Sequence, residues 1–199
     1  MLTQAALPRR NRAFGAPDAM TAAGTTDTDW GQFATMTMPV FLERFTLHDS
    51  WIKDVVVWPY GGQVTLTIGF DLHWNDSVPD GFDTLFLHFD RAYSQRFVLG
   101  AWAQQTISDA SSQVLSEEER DELLRSAEFD LRAYQGARDK IPHPAYETTL
   151  TRTVFSLMNW GLVECLHGSS IRCIVANAGG SQVDLTNMMP PQARGENGA

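Results

Sequence analysis

Between positions 64 and 74 apolar and polar side chains alternate without a break. Val64, Leu66, Ile68, Phe70, Leu72 and Trp74 fall on one side, and Thr65, Thr67, Gly69, Asp71 and His73 on the other. A period of two over this length predicts a strand with one buried and one wet face, so Thr65, Thr67 and Asp71 are expected in solvent. Val55, Val56 and Val57 centre an earlier strand over 51–58, and Pro59-Tyr60-Gly61-Gly62 supplies the turn of an antiparallel hairpin. After a Pro/Gly/Asp-rich loop over 75–82, strands are expected over 84–89 and 96–102, joined by a turn near 90–94. Towards the C-terminus, 149–166 and 171–176 are strand-like. His167-Gly168-Ser169-Ser170 reads as the turn of a second hairpin, with 183–186 as a short edge strand.

One segment has helical period instead. Leu123, Leu124, Ala127, Leu131 and Tyr134 recur at helical spacing, Ser116 and Glu119 form a capping-box pair, and Gly136 supplies a stop. The helix is expected over 117–135, with Glu118, Asp121 and Arg125 on its wet face and its leucines on the sheet. The fold class is therefore α+β: a mostly antiparallel sheet with one main amphipathic helix packed on it.

Composition sets the bounds of this unit. The 199 residues suffice for one domain, and Ala, Thr, Gly and Pro dominate the early chain, so 1–36 is expected as a flexible tail. The folded domain is then 37–189, and 190–199, with Pro190-Pro191, Gly195 and Gly198, a second tail. Fifteen Lys+Arg against 24 Asp+Glu give a net charge of −9, the wrong sign for nucleic acid and suited to a basic protein partner. No apolar run approaches the roughly 20 residues of a membrane helix, and the leader lacks the order of a signal peptide, so a cytoplasmic protein is expected.

Candidate chemistry is sparse. His48, Asp49 and Ser50 hold the residue types of a hydrolase triad, but adjacent side chains diverge, which leaves a turn role and an exposed His48 able to meet a partner. Asp71, His73 and Asn75 are spaced to share the polar strand face. With His88 on a neighbouring strand, Asp71 and His73 would form a metal-assisted hydrolase site, the main alternative to a binding module. Trp58 and Trp74 flank the hairpin and would line a partner surface, or the aromatic pocket of a small-ligand carrier. The candidate partner-binding set is thus His48, Asp49, Trp58, Asp71, His73 and Trp74. No phosphate loop, dinucleotide fingerprint, nucleophile elbow or zinc signature is present, so no catalytic residue, metal or cofactor is assigned.

The stretch Phe45-Thr46-Leu47-His48-Asp49-Ser50-Trp51-Ile52, followed by a valine-rich strand, a glycine turn and an alternating strand, resembles the opening of small uncharacterised bacterial proteins that are similar to immunity proteins of polymorphic toxin systems. The resemblance implies a bacterial, β-rich, non-enzymatic protein and carries no functional residues; the net charge of −9 suits an inhibitor that caps a basic toxin. Leu47-His48-Asp49-Ser50 is echoed by Leu166-His167-Gly168-Ser169. The echo continues at the same offset through Gly61 and Gly180 to Leu66-Thr67 and Leu185-Thr186, as a duplicated strand–turn–strand unit or shared turn chemistry would give. Cys165 and Cys173 flank Ser169 symmetrically and would oppose each other across that hairpin; they are expected as free thiols.

Overall fold

The computed structural model describes residues 28–58, 62–98, 105–125, 143–158 and 160–188. Nine strands form one antiparallel sheet: β1 (Trp51–Trp58), β2 (Gln63–Gly69), β3 (Thr84–Phe89), β4 (Ala92–Val98), β5 (Gln105–Val114), β6 (Leu150–Leu157), β7 (Leu162–Gly168), β8 (Ile171–Ala176) and β9 (Gln182–Asp184). Among the described residues two α-helices accompany it, α1 (Met38–Arg44) and α2 (Glu117–Arg125). The protein is α+β and mostly β, with strand neighbours in the order β4-β7-β6-β5-β1-β2-β3-β8-β9. Among the described residues no helix is long and apolar enough to cross a membrane.

The register reveals closure. β3 pairs with β8 from Thr84↔Ala176 to Phe89↔Ile171, and the same register runs on where β4 pairs with β7, from Ser94↔Leu166 to Val98↔Leu162. β3 and β4 are thus one long strand bent at Asp90-Arg91, and β7 and β8 another, bent at Ser169-Ser170. With β5 bonded to β1 through Trp51↔Thr106 and Ile52↔Gln105, the ring closes as β1, β2, β3/β4, β8/β7, β6 and β5. Closure of this kind removes most of the unpaired sheet edge.

This geometry overturns two sequence expectations. No turn reverses the chain near 90–94, and 167–170 is a corner rather than a hairpin turn; the reversal comes earlier, between β6 and β7. Polar residues in a bent strand carry the same composition as a turn, so the pattern alone misplaced both. Cys165 and Cys173 consequently lie along one bent strand, opposite Gln95 and Leu87 and not opposite each other. Both are free and buried, and burial pushes each thiol up to about 12.

The interior is filled by the inward-facing residues of every strand. Ile68, Leu85, Leu87, Phe89, Ile107, Phe155, Ile171, Cys173 and Val175 have no exposed surface, and α1 plugs one end with Met38 and Phe41. Thr37 caps α1 and Pro39 occupies its first turn, where a missing N–H costs nothing. Val64, Leu66, Ile68 and Phe70 share the buried face as the alternation predicts. Thr65 and Thr67, expected in solvent, are also buried, because Trp30 and Phe33 lie across the outer face of this sheet half. Residues 28–36, expected within a tail, are therefore part of the packed unit: Met36 exchanges both backbone hydrogen bonds with Ile171, at 3.0 and 2.8 Å.

On the other half, α2 lays Leu123 and Leu124 against Leu115, Leu150 and Leu166. Its capping box forms as the sequence dictates: Glu119 N–H donates to Ser116 Oγ (3.2 Å) and Ser116 N–H to the Glu119 carboxylate (2.8 Å). Residues 126–135 of the expected helix lie outside the described residues, as do Leu131 and the Gly136 stop. The hairpins β1–β2 and β8–β9 fall within the two echoing segments, but the ends of the echo differ: Leu166–Gly168 lies in β7 whereas 48–49 is a turn, and Leu185-Thr186 lies in a 3-10 turn whereas Leu66-Thr67 lies in β2.

Candidate functional site

The clearest surface built from candidate residues is the end of the barrel where β1 begins and β2 ends. Here Leu47 inserts into the core, and the chain turns at Asp49, whose φ of 65° is left-handed and suits a short polar side chain. Asp49 N–H donates to the Ile107 carbonyl (3.1 Å) and Ile107 N–H to the Ser50 carbonyl (2.7 Å), so this turn is part of the β1–β5 closure. Ser50 is buried and its Oγ accepts from Asp71 N–H at 3.0 Å. The Leu47-His48-Asp49-Ser50 motif is thus a structural clasp that leaves two groups outside: His48 and Asp49, side chains 51% and 42% exposed, paired at 3.0 Å.

β2 ends at Gly69, and the expected strand face over Asp71, His73 and Asn75 does not form; residues Leu72–Trp74 make a 3-10 turn instead. Asp71 caps it by accepting His73 N–H at 2.8 Å, a bond that competes with continued strand pairing. Asn75 turns inward. Its Oδ1 accepts Thr46 N–H (2.9 Å), while its Nδ2 donates to the carbonyls of Thr46 (2.9 Å) and Asp71 (2.7 Å). That clamp locks the 71–75 turn to the His48 turn, and it holds Trp74 outward at 55% exposure with His73 edge-on at 4.8 Å. Asn75→Ala is expected to cost about 2 kcal/mol, because Thr46 loses partners for both its backbone groups. Urea unfolding checks this, and an effect below about 0.5 kcal/mol would show the clamp to be dispensable.

His48, Asp49, Asp71, His73 and Trp74 therefore share one rim, with the exposed Asp76, Asp80 and Asp83 on the loop that follows. Phe70 N–H donates to the Asp83 carbonyl at 2.7 Å and returns this loop to the sheet. A cleft of about 200 Å³ opens beside the rim between α1 and β5. Leu42, Phe45, Leu47 and Ala110 line its floor, and Thr46, His48, Ser108 and Asp109 its edge. A bulge in β5 between Ile107 and Asp109 aims the edge residues outward.

Trp58 is not part of this rim. It stands at the far end of β1, seven residues or about 23 Å along the strand from Trp51. There it meets His88 edge-on at 6.5 Å on the outer face of β3. His88 pairs across to Thr65, whereas Asp71 and His73 follow the opposite end of β2, so Asp71, His73 and His88 do not converge. Among the described residues no group of three His, Cys, Asp or Glu side chains is placed to hold a metal ion.

Three buried polar clusters escaped the sequence reading, since each joins residues far apart in the chain. His88 Nδ1 bonds Thr65 Oγ1 (2.8 Å), and its Nε2 faces Asp90 (3.4 Å), which is paired with Arg172. Burial alone would raise the Asp90 carboxyl, but the hydrogen bond from His88 and the Arg172 charge outweigh it and hold it below its ordinary value. Inside the barrel, His167 Nδ1 lies 2.5 Å from the Gly168 carbonyl and must donate to it. Nε2 then accepts from Thr153 (2.9 Å), which accepts from Ser112 (3.1 Å). Beneath α2, Glu147 binds Arg91 (2.8 Å) and accepts from the Tyr93 hydroxyl, which burial and this carboxylate push above its ordinary range. Arg120 bonds the Glu147 carbonyl at 2.7 Å and ties α2 to the barrel.

Comparison of the chain with protein-family models, with curated proteins and with solved structures finds no match.

Proposed function

We propose that this protein is a non-enzymatic binding module whose acidic rim docks a basic protein, in the manner of an inhibitor that covers a toxin. The observation that carries this reading is Trp74: an exposed aromatic in the 71–75 turn that Asn75 locks to Thr46, followed along the chain by the exposed Asp76, Asp80 and Asp83. Aromatic side chains fixed before binding lose little conformational freedom on contact and dominate interface energies. These carboxylates and the net charge of −9 would steer a cationic partner to the rim and set its orientation.

The test is quantitative capture with two baits, the intact chain and Trp74→Ala. The intact chain is expected to retain a basic protein with salt-sensitive affinity, and Trp74→Ala to bind it about tenfold or more weakly. Equal retention by both baits, or a partner whose binding is insensitive to salt, would contradict the proposal.

A further inference from the structure

We propose that the cleft between α1 and β5 is a socket for one arginine side chain, carried on an extended segment of the partner that adds to the open edge of β5. The inference rests on the rim as the docking face for a basic protein and names the group that this face takes. The cleft is divided as a long cationic side chain is. Leu42, Phe45, Leu47 and Ala110 form an apolar floor, and Thr46, His48, Ser108 and Asp109 a polar edge with no lysine or arginine among them. An aliphatic stem covers such a floor while its charged head stays wet at the edge. The head meets acceptors there. Asp109 is exposed, and the ion pairs among the described residues leave it out. Ser108 Oγ already donates to the Ser156 carbonyl (3.1 Å), so towards the cleft it can only accept. His48 is paired with Asp49 at 3.0 Å, which adds a second carboxylate beside the edge. Arg44, the one cation of α1, bonds the Thr186 carbonyl at 3.3 Å and does not line the cleft. A planar guanidinium serves a carboxylate and a neighbouring hydroxyl together through its fork of donors, which a compact ammonium does less well.

The backbone beside the cleft offers the means of presenting that side chain. Leu115 N–H donates to the Leu150 carbonyl at 2.9 Å, so by alternation Gln113, Ser111 and Asp109 direct their backbone groups at β6, and Val114, Ser112 and Ala110 direct theirs away. On that side Ile107 bonds Asp49 and Ser50, and the closure ends there. Past the bulge, Ala110, Ser112 and Val114 have no backbone partner on that side among the described residues, and β5 carries neither the proline nor the lysine that blunts an edge. An extended main chain adds to such an edge by hydrogen bonds, and its alternate side chains then fall on the face of Ala110 and the cleft.

The experiment is an NMR titration of the full chain, with leucine and alanine methyl groups and backbone amides labelled. The probe is Nα-acetyl-arginine N-methylamide, and the uncharged citrulline analogue is its control. The arginine probe is expected to move the Leu42, Leu47 and Ala110 methyl signals together with the Ala110 and Ser112 N–H signals, and to bind about tenfold more tightly than the citrulline probe. Asp109→Asn, a change at an exposed position, is expected to weaken the arginine probe about threefold. Methyl or amide signals unmoved at tens of millimolar probe, equal binding of the two probes, or undiminished binding to Asp109→Asn overturns the proposal. The socket and the rim fail separately: Trp74-dependent capture with a cleft silent to the probe removes the socket alone, whereas cleft binding without Trp74-dependent capture removes the rim and leaves the arginine site.

Discussion

Phe89→Ala is expected to destabilise the protein by about 3–5 kcal/mol. Phe89 has no exposed surface and closes β3 just before the bend into β4. Its ring packs 4.7 Å from that of His167, and its backbone pairs with Val64 on one side and Ile171 on the other. In an open sheet an edge strand shifts to fill a lost ring. Here the neighbouring strands are hydrogen-bonded on both sides, so little collapse is available and most of the cavity remains. Urea unfolding with an unchanged slope is the measurement. Val57→Ala, on a side chain 41% exposed, should cost less than about 1 kcal/mol in the same assay.

The second large effect is acid destabilisation centred on His167. Burial lowers the pKa of this histidine to about 4, with the Gly168 hydrogen bond opposing the shift. The folded protein holds the ring neutral, whereas the unfolded chain takes up a proton near pH 6.5. The contribution is therefore complete above pH 6.5, declines as pH falls towards 4 and levels off below that. It amounts to about 3 kcal/mol across the window. The Asp90 carboxylate, held below its ordinary value, loses its contribution only at lower pH, so the two windows separate. His167→Gln is expected to flatten the slope between pH 6.5 and 4, because a glutamine has no proton to gain there. An unchanged slope in that variant would assign the titration to another group.

The local elements were legible in the sequence wherever one period and one cap decide them. The β1–β2 hairpin, the buried face of β2 and the capping box of α2 all follow from adjacent residues. What was not legible depends on distant ones. Thr65 and Thr67 are buried only because Trp30 and Phe33 return to cover them, and a threonine on a strand reads the same in either setting. The bends at Asp90-Arg91 and Ser169-Ser170 carry turn-like residues while the ladder passes straight through them. β5 was missed because Asp109, Ser111, Ser112 and Gln113 give it a polar composition, although Ile107 and Ala110 pack inward. At the rim the candidates His48, Asp49, Asp71, His73 and Trp74 came together, yet through a 3-10 turn and an asparagine clamp rather than along a strand. Trp58 went elsewhere.

The rim is proposed as the docking face. Hydrogen exchange of the protein with and without its captured partner tests it most directly. The account predicts added protection over 46–50 and 71–83, with β6 and β7 unchanged. Protection confined to β6, β7 or α2, with the rim exchanging as in the free protein, would contradict it.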